Sequence, residues 1–268
     1  MLEAAWWGFV GGAALLVGAA LALLLPVSRR VIGLIMAFGA GVLVSAAAFE
    51  LMEEAFRSAG GWAATSGLLA GALTYFTGDW FIDSKGGHRR KSPVHGGVRA
   101  SKGSASDDPQ DLGSSGPSKA GGSGASSGLA LVLGALLDGI PESAAIGITL
   151  LGGQGVGLAM VAAVFLSNIP ESVSATTGLQ AAGRSRRWIL GLWALVTAVS
   201  TLASVLGYGL LGGASEATLA FIQTFAAGAI ITMLADTMVP EASEHAGRLV
   251  GLLTVIGFAA SFLLSATA

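Results

Sequence analysis

Leu137-Asp138-Gly139-Ile140-Pro141-Glu142-Ser143 and, 29 residues on, Leu166-Ser167-Asn168-Ile169-Pro170-Glu171-Ser172 decide the reading of this chain. Each stretch lies inside a long apolar run, and each sets a proline immediately before a glutamate. A carboxylate placed in hydrocarbon costs roughly 2.5–3.5 kcal/mol on insertion scales, so an acid at membrane depth marks a functional position. Proline has no N–H to offer the carbonyl four residues back, which frees the carbonyls of Leu137 and Leu166 from the helix ladder. Each stretch therefore presents carboxylate and carbonyl oxygens at one depth. A cation is the ligand that such oxygens suit.

Outward from this pair, composition sets the class. Of 268 residues, 53% are hydrophobic and only 11% charged, the balance of a polytopic membrane protein whose interior is defined by the bilayer. Forty-one glycines suit close helix approach in lipid. The absence of cysteine excludes disulfides and thiolate metal sites. No phosphate loop, dinucleotide fingerprint or nucleophile elbow is present, so an enzyme is not expected. The net charge of −2 identifies no partner, and nothing points to nucleic acid.

Apolar segments of about 20 residues, the length that spans a bilayer, fall at 4–25, 31–56, 62–82, 128–151, 155–180, 187–212, 217–240 and 247–265. The first is read as a retained helix, because Met1-Leu2-Glu3 lacks the basic leader of a signal peptide. Thirteen of fourteen basic residues lie in alternate connections: Arg29 and Arg30, seven from Lys85 to Lys119, Arg184, Arg186 and Arg187, and Arg248. Only Arg57 lies on the other side, so the positive-inside rule gives eight transmembrane helices with both termini outside. Residues 83–127, rich in Gly, Ser, Lys and Arg, read as a disordered cytoplasmic linker between two blocks of one transmembrane domain, 1–82 and 128–268. Its His88 and His95 read as unspecialised.

Repetition sharpens the fold. The Ile-Pro-Glu-Ser copies sit on consecutive, oppositely directed segments, 4 and 5. Phe38-Gly-Ala-Gly-Val-Leu-Val-Ser45 aligns with Phe225-Ala-Ala-Gly-Ala-Ile-Ile-Thr232, and Glu54-Ala55 with Glu241-Ala242. The expected fold is an all-α membrane protein in which an inverted repeat, segments 1–3 and 6–8, surrounds a central pair, segments 4 and 5. Secondary transporters share this layout, with the ion site near the midplane.

Asp138 and Glu142 are four apart and share a helix face, and Ser167, Asn168 and Glu171 occupy the corresponding turn of the next segment. Together they are the candidate metal ligands, an oxygen-rich set suited to a hard or borderline divalent ion. Glu50 and Asp236 are candidate pathway residues on segments 2 and 7. Asp79 and Asp83 read as interfacial partners of Lys85 or Arg89, and Trp6, Trp7, Trp62, Trp80 and Trp188 as interfacial anchors.

At these residues the chain resembles the ZIP (Zrt/Irt-like) metal transporters, whose motifs on segments 4 and 5 read approximately His-Asn-x-Pro-Glu-Gly. The resemblance implies eight helices, both ends outside, a variable loop after segment 3 and a metal site on segments 4 and 5. Glu142, Asn168 and Glu171 match the family's ligands directly, whereas Asp138 and Ser167 match by position only, in place of the two histidines. Imidazole is the ligand that best favours zinc, and its loss opens the site to manganese or iron(II) as well. The implied function is uptake of a divalent ion (zinc, iron, manganese or cadmium) into the cytoplasm through the plasma or inner membrane. The ion would be cargo, with no cofactor, and a homodimer is compatible. A calcium or sodium exchanger built on the same Pro-Glu pairs, a non-transporting metal-binding membrane protein, and an aspartyl protease using Asp138 and Asp236 are the alternatives.

Overall fold

The computed structural model describes residues 1–84, 123–152 and 155–267, and all the regular structure among them is helical. Nine α-helices follow in order: α1 (Leu2–Leu24), α2 (Arg29–Ala46), α3 (Glu54–Ser84), α4 (Ser123–Thr149), α5 (Leu158–Ala181), α6 (Arg186–Leu211), α7 (Glu216–Met233), α8 (Val239–Ala246) and α9 (Leu249–Thr267). Most of the linker, with His88, His95, Lys85 and Arg89, falls outside the described residues.

The helix starts follow from capping chemistry. Ser28, Ser185 and Ser215 each accept a hydrogen bond from a backbone N–H three residues on, at the starts of α2, α6 and α7. Two helices change pitch midway. A π-helical stretch, Ala47–Glu53, joins α2 to α3, and another, Leu234–Met238, joins α7 to α8. Such single-turn widenings are rare and concentrate at functional sites.

Six stretches among the described residues are long and apolar enough to cross a bilayer: Leu2–Leu24, Arg29–Ile82, Leu158–Ala181, Arg186–Leu211, Glu216–Ala246 and Leu249–Ala266. The second runs 54 residues. At 1.5 Å per residue that is about 80 Å, against roughly 30 Å of hydrocarbon. Gly60, at φ 78°, ψ 175°, interrupts it with a conformation open to glycine and costly for other residues. Large apolar side chains on the outer faces are bare, among them Leu69, Leu73 and Phe76 on α3, Leu202 and Leu210 on α6, and Leu252 and Val255 on α9. Those surfaces suit lipid. Trp6, Trp62, Trp80 and Trp188 are likewise exposed near segment ends, whereas Trp193 is fully buried and gives its indole N–H to Thr176 Oγ1 at 2.9 Å.

The helices meet in a regular pattern: α3 lies along α7, α2 along α9, α1 between α5 and α6, and α4 along α6. The expected central pair is looser than anticipated, because α4 and α5 touch each other far less than each touches its partner, α6 or α1. Hydroxyl groups tie neighbours together: Thr197 Oγ1 donates to Gly12 O at 2.9 Å, Ser204 Oγ to Ala4 O at 2.9 Å, and Thr254 Oγ1 to Ala37 O at 3.1 Å. With little hydrophobic drive between helices in lipid, close packing and bonds of this kind hold a bundle.

Several features recur at one spacing. The π stretches begin at Ala47 and Leu234, 187 positions apart, as are Phe38 and Phe225 and two of the four positive-φ glycines among the described residues, Gly60 and Gly247. The other two, Gly155 and Gly183, lie in the connections on either side of α5. A Cβ on Gly41 would strike the Thr254 carbonyl, and one on Gly228 the Leu68 carbonyl. A Cβ on Gly71 would strike the Phe225 carbonyl, and one on Gly257 the Phe38 carbonyl. The contacts of α2 on α9 thus reappear in those of α7 on α3.

Candidate metal site

Pro141 and Pro170 lie inside unbroken helices, so α4 and α5 continue past them with one ladder bond missing in each. Around α5 the gap is closely packed. A Cβ on Gly39 of α2 would sit 3.5 Å from the carbonyl of Leu166, the group that Pro170 leaves unbonded. Ser172 Oγ donates to Asn168 O at 2.8 Å and Ile169 O at 3.0 Å, and so covers the neighbouring carbonyls.

Glu142 is the most deeply placed acid, at 2% exposure, and its Oε2 has no hydrogen-bond partner among the described residues. It lies within electrostatic reach of Glu171 across on α5 and of Asp138 one turn back on α4. Asp138 is also buried and accepts a 2.5 Å hydrogen bond on Oδ1 from the Tyr75 hydroxyl of α3. Glu171 is half-buried.

The two neutral candidates are buried and oriented. Asn168 spends its Nδ2 on Gly11 O of α1 at 3.1 Å, which leaves Oδ1 as the atom able to accept or ligate. Ser167 Oγ donates back to Val164 O at 3.0 Å, keeping its lone pairs. The three acids thus feel one another, whereas Asn168 is tied to α1 and Ser167 to its own helix. Among the described residues, however, no three His, Asp or Glu side chains converge closely enough to hold a metal ion in this conformation.

The predicted pathway residues fall elsewhere. Glu50, on the first π stretch, accepts from the backbone N–H of Met160 at 3.1 Å, with the Ala159 N–H and the Ser265 hydroxyl also directed to it. Gly157, which opens α5, offers no side-chain cap, so Glu50 performs that task from another helix and places its charge at the favourable end of the dipole. Glu50→Ala is expected to cost about 1 kcal/mol, the usual value of a cap, and Glu50→Gln, which keeps an acceptor, distinctly less. Thermal unfolding in detergent checks this, and equal melting of all three proteins would contradict it. Asp236 is half-buried on the second π stretch. Asp79 is buried on α3, and its expected partners are outside the described residues.

Sequence reasoning did not find three contacts. Tyr75 gave no signal within an apolar run. Glu241, known only as the counterpart of Glu54, accepts from Ser174 one turn beyond Glu171. A cavity of about 770 Å³ opens beside the first π stretch, lined by Glu53, Glu54, Arg57, Ser58 and Ser265, with Arg57 bridged to Glu53 at 2.5 Å.

No family model and no curated protein matches the chain.

Proposed function

We propose that this chain is a ZIP-like carrier that moves a divalent metal ion across a membrane into the cytoplasm through the acids of α4 and α5. The observation that carries the reading is Glu142: a carboxylate buried at 2% exposure, one oxygen without a partner, facing two further acids. An unpaired buried charge is costly, and acids gathered around it raise the cost. A divalent ion supplies the missing positive charge, with the Asn168 amide oxygen and the carbonyls freed by Pro141 and Pro170 as neutral ligands.

Counting the limbs on either side of Gly60 separately and including α4 supports eight crossings, and the alternation of basic connections supports both termini outside. The recurrences 187 positions apart support an inverted repeat around α4 and α5. The loose α4–α5 contact supports alternating access, because two helices backed by different partners can approach or part around an ion. In the conformation described here the ligands have not closed, and ion binding draws Glu142 and Glu171 together. The cavity beside Glu53 and Glu54 lies at the end of the bundle away from the basic connections and forms the outer mouth.

Liposomes containing the purified protein, loaded with a metal-sensitive dye and offered Zn²⁺, Mn²⁺, Fe²⁺ or Cd²⁺ at two pH values, test the reading. Protein-dependent accumulation of at least one transition ion is expected. Flux of Ca²⁺ or Na⁺ alone, requiring a counter-ion on the far side, would replace it with the exchanger.

A further inference from the structure

Asp138 stands one turn from Glu142 on α4, and its Oδ1 is occupied by the hydroxyl of Tyr75 at 2.5 Å. Tyr75 is 2% exposed, and the helix that carries it is held close at this level, since a Cβ on Gly78 would meet Leu137 Cδ1 at 3.1 Å. Among the described residues the tie has no counterpart at the matching positions on the other side. Counting at the spacing that relates Gly71 to Gly257, Tyr75 corresponds to Ser261, and Asp138 corresponds to Ser167 at the 29-residue spacing of the two motifs. Ser261 and Ser167 are too short to repeat the bridge. Ser261 Oγ is buried without a partner among the described residues, and Ser167 bonds its own helix.

Helices α4 and α5 are joined by a short connection, pinned where Gly157 N donates to Thr149 Oγ1 at 3.1 Å, so they run in opposite directions. Asp138 therefore flanks the central acids toward Ser84 and Ser123, and Ser167 flanks them toward Leu158. Of these two flanking side chains, Asp138 is bonded to a third helix and Ser167, among the described residues, to its own.

We propose that Tyr75 is a positioning residue that sets how tightly the α4–α5 site holds its ion, by competing with that ion for the Asp138 carboxylate. The inference rests on the function proposed above. A phenol donating to a carboxylate uses a lone pair that a divalent ion also needs. Recruiting Asp138 through Oδ1, or through both oxygens at once, therefore breaks a hydrogen bond to a charged acceptor, and the ion is held less tightly than the same oxygens would hold it alone. A carrier gains from this, because an ion bound by every available acid leaves slowly. The competing hydroxyl returns to Asp138 as the ion departs past that flank.

The test uses the full chain in detergent, with Zn²⁺ and Mn²⁺ each titrated against a fluorescent chelator, for the wild type, Tyr75→Phe, Asp138→Asn and the double variant. Tyr75→Phe keeps the buried ring and is expected to lower Kd roughly tenfold, the size associated with releasing a hydrogen bond to a charged group. In liposomes it should lower KM and kcat together, whereas a packing defect would weaken binding. In the Asp138→Asn background the same change should leave Kd unmoved. An unchanged or raised Kd in Tyr75→Phe, with metal still bound by the wild type, overturns this inference alone, as does an equal gain without the Asp138 carboxylate. A wild type that binds neither ion overturns the proposed function, and this inference with it.

Discussion

Glu142→Gln is expected to abolish metal uptake while leaving the protein folded, and its melting temperature in detergent unchanged or higher. The two halves of that result have one cause. Glu142 is buried at 2% exposure with an oxygen that finds no partner, so ionising it in the apo protein has a cost that nothing among the described residues offsets. Glutamine keeps the shape and removes the charge, which relieves a desolvation cost and the repulsion from Asp138 and Glu171. The ion loses a charge-assisted ligand, worth about 1.5–3 kcal/mol and so roughly ten- to a hundredfold in affinity. Glu171→Gln should abolish uptake as well, with a smaller gain in melting temperature, because Glu171 is half-buried and its charge is already partly solvated. Dye-loaded liposomes and thermal unfolding on the same preparations provide the measurements. Wild-type flux in both variants would contradict the site, and unfolding of both would make Glu142 and Glu171 structural instead.

Why these two acids were legible in the sequence, and their neighbours were not, is a matter of range. A charge within an apolar run is visible at once, because hydropathy is a property of the residues on either side. The same holds for the helix limits: α5 and α6 begin within three residues of the expected positions, since apolar runs and the Ser185 cap mark them. Gly60-Gly61 falls in the expected gap between the second and third segments. By contrast, the change from an α to a π ladder at Ala47 leaves the hydropathy pattern almost untouched, and only its recurrence at Leu234 would have betrayed it. Glu50 was visible as an acid, but its partner is the backbone of Met160, 110 positions away, and backbone amides have no sequence signature. Tyr75 is the hardest case. An aromatic residue in a membrane helix reads as packing, and only the fold brings its hydroxyl to Asp138. The looseness between α4 and α5 was hidden for a related reason: adjacency in sequence implies adjacency in space, but not which third helix each prefers.

Gly41→Ala and Gly228→Ala are expected to lower the melting temperature by similar amounts, several degrees each, and their combination by about the sum. Each glycine lies inside a helix, where alanine is ordinarily better by about 1 kcal/mol. Here the added methyl would enter the space of a backbone carbonyl, Thr254 for Gly41 and Leu68 for Gly228. A carbonyl cannot rotate aside as the end of a side chain can, so α9 or α3 must move outward as a body. Overpacking of this kind costs typically 1–3 kcal/mol, which exceeds the gain in helix propensity. The two sites lie on different helix pairs, α2 with α9 and α7 with α3, so their costs should add. Gly251 is the control, because a Cβ there meets nothing within 4 Å, and Gly251→Ala should hold or raise stability. Equality of the first two effects carries more weight than their size. Two halves built on one plan would respond alike to the same perturbation at equivalent points, and under the proposed carrier function they would share the travel that alternating access requires. A large loss at Gly41 with none at Gly228 would mean that the recurring contacts are a coincidence of glycine-rich helices, and the inverted repeat would fall with them.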